Sequence, residues 1–148
     1  MEHLKKICFF IALIIITLFI WWNFSPTILE LQTKHATLSG VPLQLVIRDT
    51  EATRAQGLSG LPQISEGTGM FFVFDEPDYL GFWMKDMKFP IDIIWFDEFY
   101  RVVNIQENLS PGTYPQVFTP QVLAQYVLEV PAHFATKHGV KIGDQISF

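Results

Sequence analysis

Hydrophobic and polar positions change rhythm several times along this chain. Ile7 to Trp22 runs without a charge or a strong turn residue. From Val41 to Arg48, Leu43, Leu45 and Ile47 alternate against Gln44, Val46 and Arg48, the period of a half-covered strand. A strand over His35–Leu38 precedes it, joined through Ser39-Gly40. Asp49 or Thr50 is placed to cap a short helix over Glu51–Gln56. Gly57 closes that helix in a left-handed conformation with positive φ, and Leu58 packs back. Three short runs rich in aromatic and β-branched residues follow: Gly69–Asp75, Leu80–Met87 and Ile91–Phe96. A fourth, Arg101–Gln106, comes after the turn Asp97-Glu98-Phe99-Tyr100. The short connections predict an antiparallel meander. Residues 108–120 hold Pro111, Gly112, Pro115 and Pro120 and read as a long loop, a frequent place for function. Leu123–Val130 is a further strand, Ala132–His138 a helical turn stopped by Gly139, and Gln145–Phe148 a last short strand.

This pattern predicts an all-β domain: a compact antiparallel jelly-roll-like sandwich or flattened barrel with one or two short helices. Its expected limits are residues 36–148, behind a linker over 25–35 and a membrane anchor over 1–24. The anchor reading rests on Lys5 and Lys6 before the apolar run. As a helix, Ile7–Phe24 reaches roughly 27 Å at ~1.5 Å per residue, close to the span of a bilayer core. Trp21 and Trp22 stand where an interfacial belt would be, and the two lysines place the N-terminus in the cytoplasm. Ile20-Trp21-Trp22-Asn23-Phe24 offers no small-residue cleavage site, which favours an uncleaved anchor over a cleaved signal peptide. The expected location is therefore the cytoplasmic membrane, single-pass, with the domain on the extracytoplasmic side.

Charge and side-chain chemistry narrow the function classes. From Ser25 onward there are 14 Asp and Glu against 8 Lys and Arg, so the domain is near −6. No basic cluster exists, and nucleic acid binding is disfavoured. Cys8 is the single cysteine, leaving the domain without thiol or disulfide. His35, His133 and His138 show no metal-ligand spacing, and Met70, Met84 and Met87 read as core filling, so no metal or cofactor is expected. Gly57-Leu58-Ser59-Gly60 is not a nucleophile elbow, and the absence of a nucleophile motif leans against an enzyme.

Carboxylates inside strands are less ordinary. Asp92 interrupts Ile91–Phe96, Glu129 interrupts Tyr126–Val130, and Glu107 ends its own run. Each must be solvated, paired or hydrogen-bonded. One reading makes them surface residues or ion-pair partners of Arg54, Lys85 or Arg101. The other converges them on a polar cleft floored by a mostly buried Trp83, with Arg54, Lys85 and Asp86 beside it.

Six motifs in order carry a resemblance. They are Arg54-x-x-Gly57-Leu58-Ser59-Gly60, Gly69-Met70-Phe71-Phe72-Val73-Phe74, Phe82-Trp83-Met84-Lys85, Pro90-Ile91-Asp92-Ile93-Ile94-Trp95, Val127-Leu128-Glu129-Val130 and Gly143-Asp144. From about Leu43 to Phe148 the chain resembles the uncharacterised family called domain of unknown function 192. The resemblance implies one compact mainly-β domain of jelly-roll-like topology, often behind a signal or anchor, and implies no activity. Two departures stand out. The family's Phe-Trp-Met-Lys is often followed by Asn-Thr, here Asp86-Met87, and its Asp-x-x-Gly turn is here Asp97-Glu98-Phe99-Tyr100. The leading functional expectation is a non-catalytic binding module for an envelope ligand such as a glycan, using Arg54, Trp83, Lys85, Asp86, Asp92, Glu107 and Glu129. A scaffold for envelope proteins and a two-carboxylate hydrolase of envelope polymers are the alternatives.

Overall fold

The computed structural model describes residues 32–148; the expected anchor and most of the linker lie outside them. Among the described residues no helix is long and apolar enough to cross a membrane. The strands are β1 (Thr33–Leu38), β2 (Val41–Arg48), β3 (Thr68–Asp78), β4 (Phe82–Trp83), β5 (Ile91–Phe96), β6 (Val102–Leu109), β7 (Val117–Phe118), β8 (Ala124–Pro131) and β9 (Ile146–Ser147). The helices are α1 (Glu51–Gln56) and α2 (Phe134–His138), with a 3-10 turn at Pro111–Thr113.

The domain is mainly β, but its topology differs from the antiparallel sandwich. Seven strands form one sheet in the order β6-β5-β8-β3-β2-β1-β9, and β4 and β7 form a separate two-stranded ribbon. The sheet is mixed, because β2 and β3 run parallel, Leu45 opposite Gly69 and Ile47 opposite Phe71. A parallel pair needs a crossover, and residues 49–67, carrying α1, supply it. The meander is also corrected: β8 lies between β3 and β5 and pairs antiparallel with both. The expected strand Leu80–Met87 shrinks to Phe82–Trp83, paired with Val117 and Phe118 across the loop read as irregular. The sheet curls into a half-barrel whose two edges meet at one end. There the Val102 N–H donates to the Asp144 carbonyl at 2.8 Å, and the Ile146 N–H donates to the Tyr100 carbonyl at 3.1 Å.

Local sequence accounts for the joints. Ser39 and Gly40 both take positive φ, 50° and 77°, which a two-residue hairpin with the right twist requires. Thr50 caps α1: its hydroxyl accepts from the Thr53 N–H, and the Thr53 hydroxyl accepts from the Thr50 N–H. Gly57 ends α1 with the expected positive φ, 49°, but its ψ of −134° lies outside the expected left-handed helical region, in a region closed to residues with a Cβ. Tyr100, where the family resemblance implies glycine, also sits at positive φ, and its ring stacks on Tyr126 with centroids 4.4 Å apart.

Both faces of the sheet are covered. Leu43, Leu45, Ile47, Phe71, Ile94, Phe96, Leu128 and Val130 fill the inside of the curl, with Phe134 and Ala135 of α2 added to them. Gly69 faces the same interior because a Cβ there would lie 2.7 Å from Leu128 Cδ1. On the outer face, Leu58, Met70, Phe72, Met84, Ile93, Trp95 and Val127 form a second cluster beneath the segments around 58–64 and 80–91. Hence β5 is buried at every position, and its alternation no longer separates core from solvent. Trp95 pins the outer layer through its indole N–H, which donates to the Leu80 carbonyl at 2.9 Å.

Candidate functional site

Alternation along β8 decides where its carboxylate goes. Leu128 and Val130 point into the curl, so Glu129 points outward with Val127. Its register partners are Met70 on β3 and Ile93 on β5, both buried and apolar. Glu129 is 5% exposed, and among the described residues its Oε2 has no hydrogen-bond partner. Burial without compensation pushes its pKa up to about 8. Near neutral pH it is largely a neutral carboxylic acid, able to donate as well as accept a hydrogen bond.

Glu129 lines an outer-face cavity of about 400 Å³. Phe72 and Phe74 of β3 flank it on the sheet. The end of α1 and Gly57–Ser59 form one side, and the segment Gly81–Met87 forms the other. Two hydrogen bonds tie these sides together. The Ser59 hydroxyl donates to the Lys85 carbonyl at 2.9 Å, and the Gly60 N–H donates to the Asp86 carbonyl at 3.0 Å. Phe82 braces the aromatic side, edge-on to Phe72 with centroids 4.9 Å apart. The mouth carries Trp83, which is 52% exposed, and the exposed Lys85. A mostly buried Trp83 is therefore a wrong expectation; the buried tryptophan of this region is Trp95. The short β4 explains it, since two residues on a ribbon leave one side chain to solvent.

Of the seven expected site residues, Arg54, Trp83, Lys85 and Glu129 line this cavity. The Arg54 guanidinium is committed to structure. Its Nη1 donates to the Asp49 carbonyl at 2.7 Å and the Val73 carbonyl at 2.8 Å, and the group lies over the Phe74 ring. Asp86 lies in the adjoining turn at φ 55°, exposed. Asp92 and Glu107 do not join the cavity. Asp92 faces the inside of the curl, fully buried, where its Oδ1 accepts from the N–H groups of Asn108 (2.8 Å) and His133 (2.9 Å). Its Oδ2 accepts from the Ala135 N–H at 2.9 Å. It caps α2 from another strand. Glu107 is exposed and accepts a hydrogen bond from the Thr136 hydroxyl. The expected convergence of three carboxylates is thus corrected by the register. Asp92 lies opposite Val130 and Glu129 opposite Ile93, so the two acids leave the sheet on opposite faces. Glu129 titrates high through burial and not through repulsion from the others.

Sequence reasoning missed Phe72, Phe74, Phe82 and Ser59 as cavity residues. Phe-rich runs look like core in either case, and the local signal does not show which ring borders a cavity. Among the described residues no group of acids and histidines is arranged to hold a metal ion.

Residues 33–148 match the family described as Uncharacterized ACR, DUF192. The chain belongs to the DUF192 family. Two solved structures resemble this DUF192 chain over most of their length. One is a protein of unknown function from Novosphingobium aromaticivorans, at 28% identity and TM-score 0.76, covering 82% of this chain and 89% of that one. The other, from Sinorhizobium meliloti, is described only provisionally as a transcription regulator. It shows 26% identity and TM-score 0.76, covering 80% of this chain and 95% of that one. No curated protein matches this DUF192 chain.

Proposed function

We propose that this DUF192 chain is a non-catalytic binding module whose outer-face cavity takes an envelope glycan. In this reading its first 24 residues anchor it in the cytoplasmic membrane, with the domain on the extracytoplasmic side. The observation that carries the proposal is Glu129, a buried carboxyl group with an unpartnered oxygen, lining a cavity edged by aromatic rings. A buried polar group left unpaired destabilises the fold by ~1–3 kcal/mol, a cost that a bound ligand can offset. A sugar hydroxyl directed at Glu129 supplies the missing hydrogen bond, while the apolar face of the ring lies on Trp83. The cavity volume falls within the usual range for small-ligand sites, roughly 300–1,000 Å³. Two-carboxylate hydrolysis is not favoured. It needs two carboxyl groups roughly 5–10 Å apart across a cleft, and among the described residues Glu129 is the one acid lining this cavity. DNA binding is not favoured either, because the domain is acidic and lacks clustered Lys and Arg.

Calorimetric titration of the full-length protein with N-acetylglucosamine, a neutral sugar of envelope polymers, tests the ligand reading. Saturable binding that falls at least tenfold in both Glu129→Leu, which cannot hydrogen-bond, and Trp83→Ala supports it. Absence of binding, or binding indifferent to both substitutions, contradicts it. Protease added outside spheroplasts should digest the domain; full protection would contradict the proposed orientation.

A further inference from the structure

We propose that the binding surface continues past Trp83 onto Tyr114 and takes at least two consecutive sugar rings, so that the ligand is an oligosaccharide chain and not a single sugar. This rests on the glycan reading of the Glu129 cavity. Tyr114 lies outside the cavity lining and belongs to none of the expected site residues, yet it is built against the cavity mouth. Its ring centroid is 6.2 Å from that of Trp83, with the two planes at 72°.

Both rings are left in solvent, Trp83 at 52% and Tyr114 at 46% exposure. Neither is there for want of order. Trp83 is held by the β4–β7 ribbon, opposite Val117, while its neighbour Phe82 packs edge-on to Phe72 and Trp95. Tyr114 follows a 3-10 turn capped by the Ser110 hydroxyl, which accepts from the Gly112 N–H, and the Tyr114 N–H donates to the Pro111 carbonyl. The ribbon is also tight: a Cβ at Gly81 would lie 2.9 Å from Val117 Cγ1. Two ordered backbones thus present adjacent aromatic rings to water, in a patch extended by the exposed Val117. Such a patch, continuous with a cavity, marks a recognition surface.

Geometry selects the class of occupant. Two planes at 72° cannot both stack on one flat ring. Consecutive rings of a saccharide chain are turned about the glycosidic bond and can meet both. The ring nearer the cavity reaches Glu129, and the next leans on Tyr114. The excess of acidic residues disfavours a polyanionic chain, which makes a neutral glycan the better probe.

The test compares N-acetylglucosamine with its β-1,4-linked tetramer by calorimetry on the full-length protein and on Tyr114→Ala. We expect 1:1 binding of both sugars to the parent, the tetramer at least tenfold tighter. In Tyr114→Ala that gain should vanish, with monomer affinity unchanged within twofold. Equal affinities for monomer and tetramer, or equal weakening of both by Tyr114→Ala, would overturn the extended site while leaving the glycan reading intact. Failure of both sugars to bind would overturn both readings, and failure of the tetramer alone would overturn the extended site. Tyr114-dependent sedimentation with phosphatidylcholine vesicles, without a tetramer gain, would assign the patch to a bilayer surface and overturn the proposal.

Discussion

Asp92 and Glu129 are one step apart in the register of two paired strands, and their surroundings are opposite. Asp92 turns into the curl and meets three backbone N–H groups from two segments. Glu129 turns outward among Met70, Ile93 and Val127, and one of its oxygens meets none. Both are carboxyl groups in apolar strands, and burial alone does not tell them apart. Asp92 is a structural hub, since it closes α2 onto the sheet from a distant strand. Glu129 weakens the fold that holds it, which is the expected mark of a group kept for a ligand.

The largest effect should come from destroying the satisfied member. Asp92→Ala leaves three N–H groups unpaired, one of them buried, and should lower unfolding free energy by ~4 kcal/mol or more in denaturant melts. Should that variant not fold, Asp92→Asn, which keeps one acceptor oxygen, should fold with about half the loss. A neutral Asp92→Ala would dissolve the contrast.

Glu129→Gln should do the reverse. The folded state holds the Glu129 proton more tightly than the unfolded chain. Stability from this group is therefore full below about pH 4.5 and declines as pH rises to about 8. The amide escapes that decline. Melts at pH 9 should show a gain of ~2–3 kcal/mol over the parent, less than the ~5 kcal/mol ceiling set by ~1.4 kcal/mol per pH unit, because local relaxation and water entry soften it. At pH 4 the two proteins should match. A destabilised Glu129→Gln at pH 9 would mean a hidden partner.

Smaller effects sharpen the boundaries of the site. Gly57→Ala places a Cβ in a closed backbone region, 3.5 Å from the Phe72 ring, and should cost ~1–2 kcal/mol. Trp83→Ala should cost only about 1 kcal/mol, because half of the ring is already in solvent. Its consequence should instead be weaker saccharide binding. A loss of several kcal/mol would return Trp83 to the core.

Much of the local structure was legible in the sequence. β2, α1 and β5 lie over the residues that the pattern predicts, because alternation, a Thr cap and Pro90 are local signals. The positive φ of Gly57 was legible for the same reason. The order of strands was not. Short loops suggested that β3, β4 and β5 are neighbours, but β8 arrives from 28 residues beyond β5 and pairs between β3 and β5. Nothing local to Val127 or Leu128 encodes that choice. The site suffered the same way. Glu129, Lys85, Trp83 and Arg54 stood out as charged or aromatic residues near apolar runs. Deciding that Glu129 faces away from Asp92 required the register of β5 against β8. Trp83 and Trp95 likewise look alike in sequence, and only the ribbon at β4 separates the exposed ring from the buried one.

The central claim is that Glu129 is an uncompensated acid kept for a ligand, and its titration tests this most directly. Carboxyl carbon shifts of Glu129 in the full-length protein, labelled at glutamate and assigned by comparison with Glu129→Gln, should show a midpoint near pH 8. A midpoint in the ordinary carboxylate range, at about 4–5, would contradict the account, because it would mean that Glu129 is already solvated or paired.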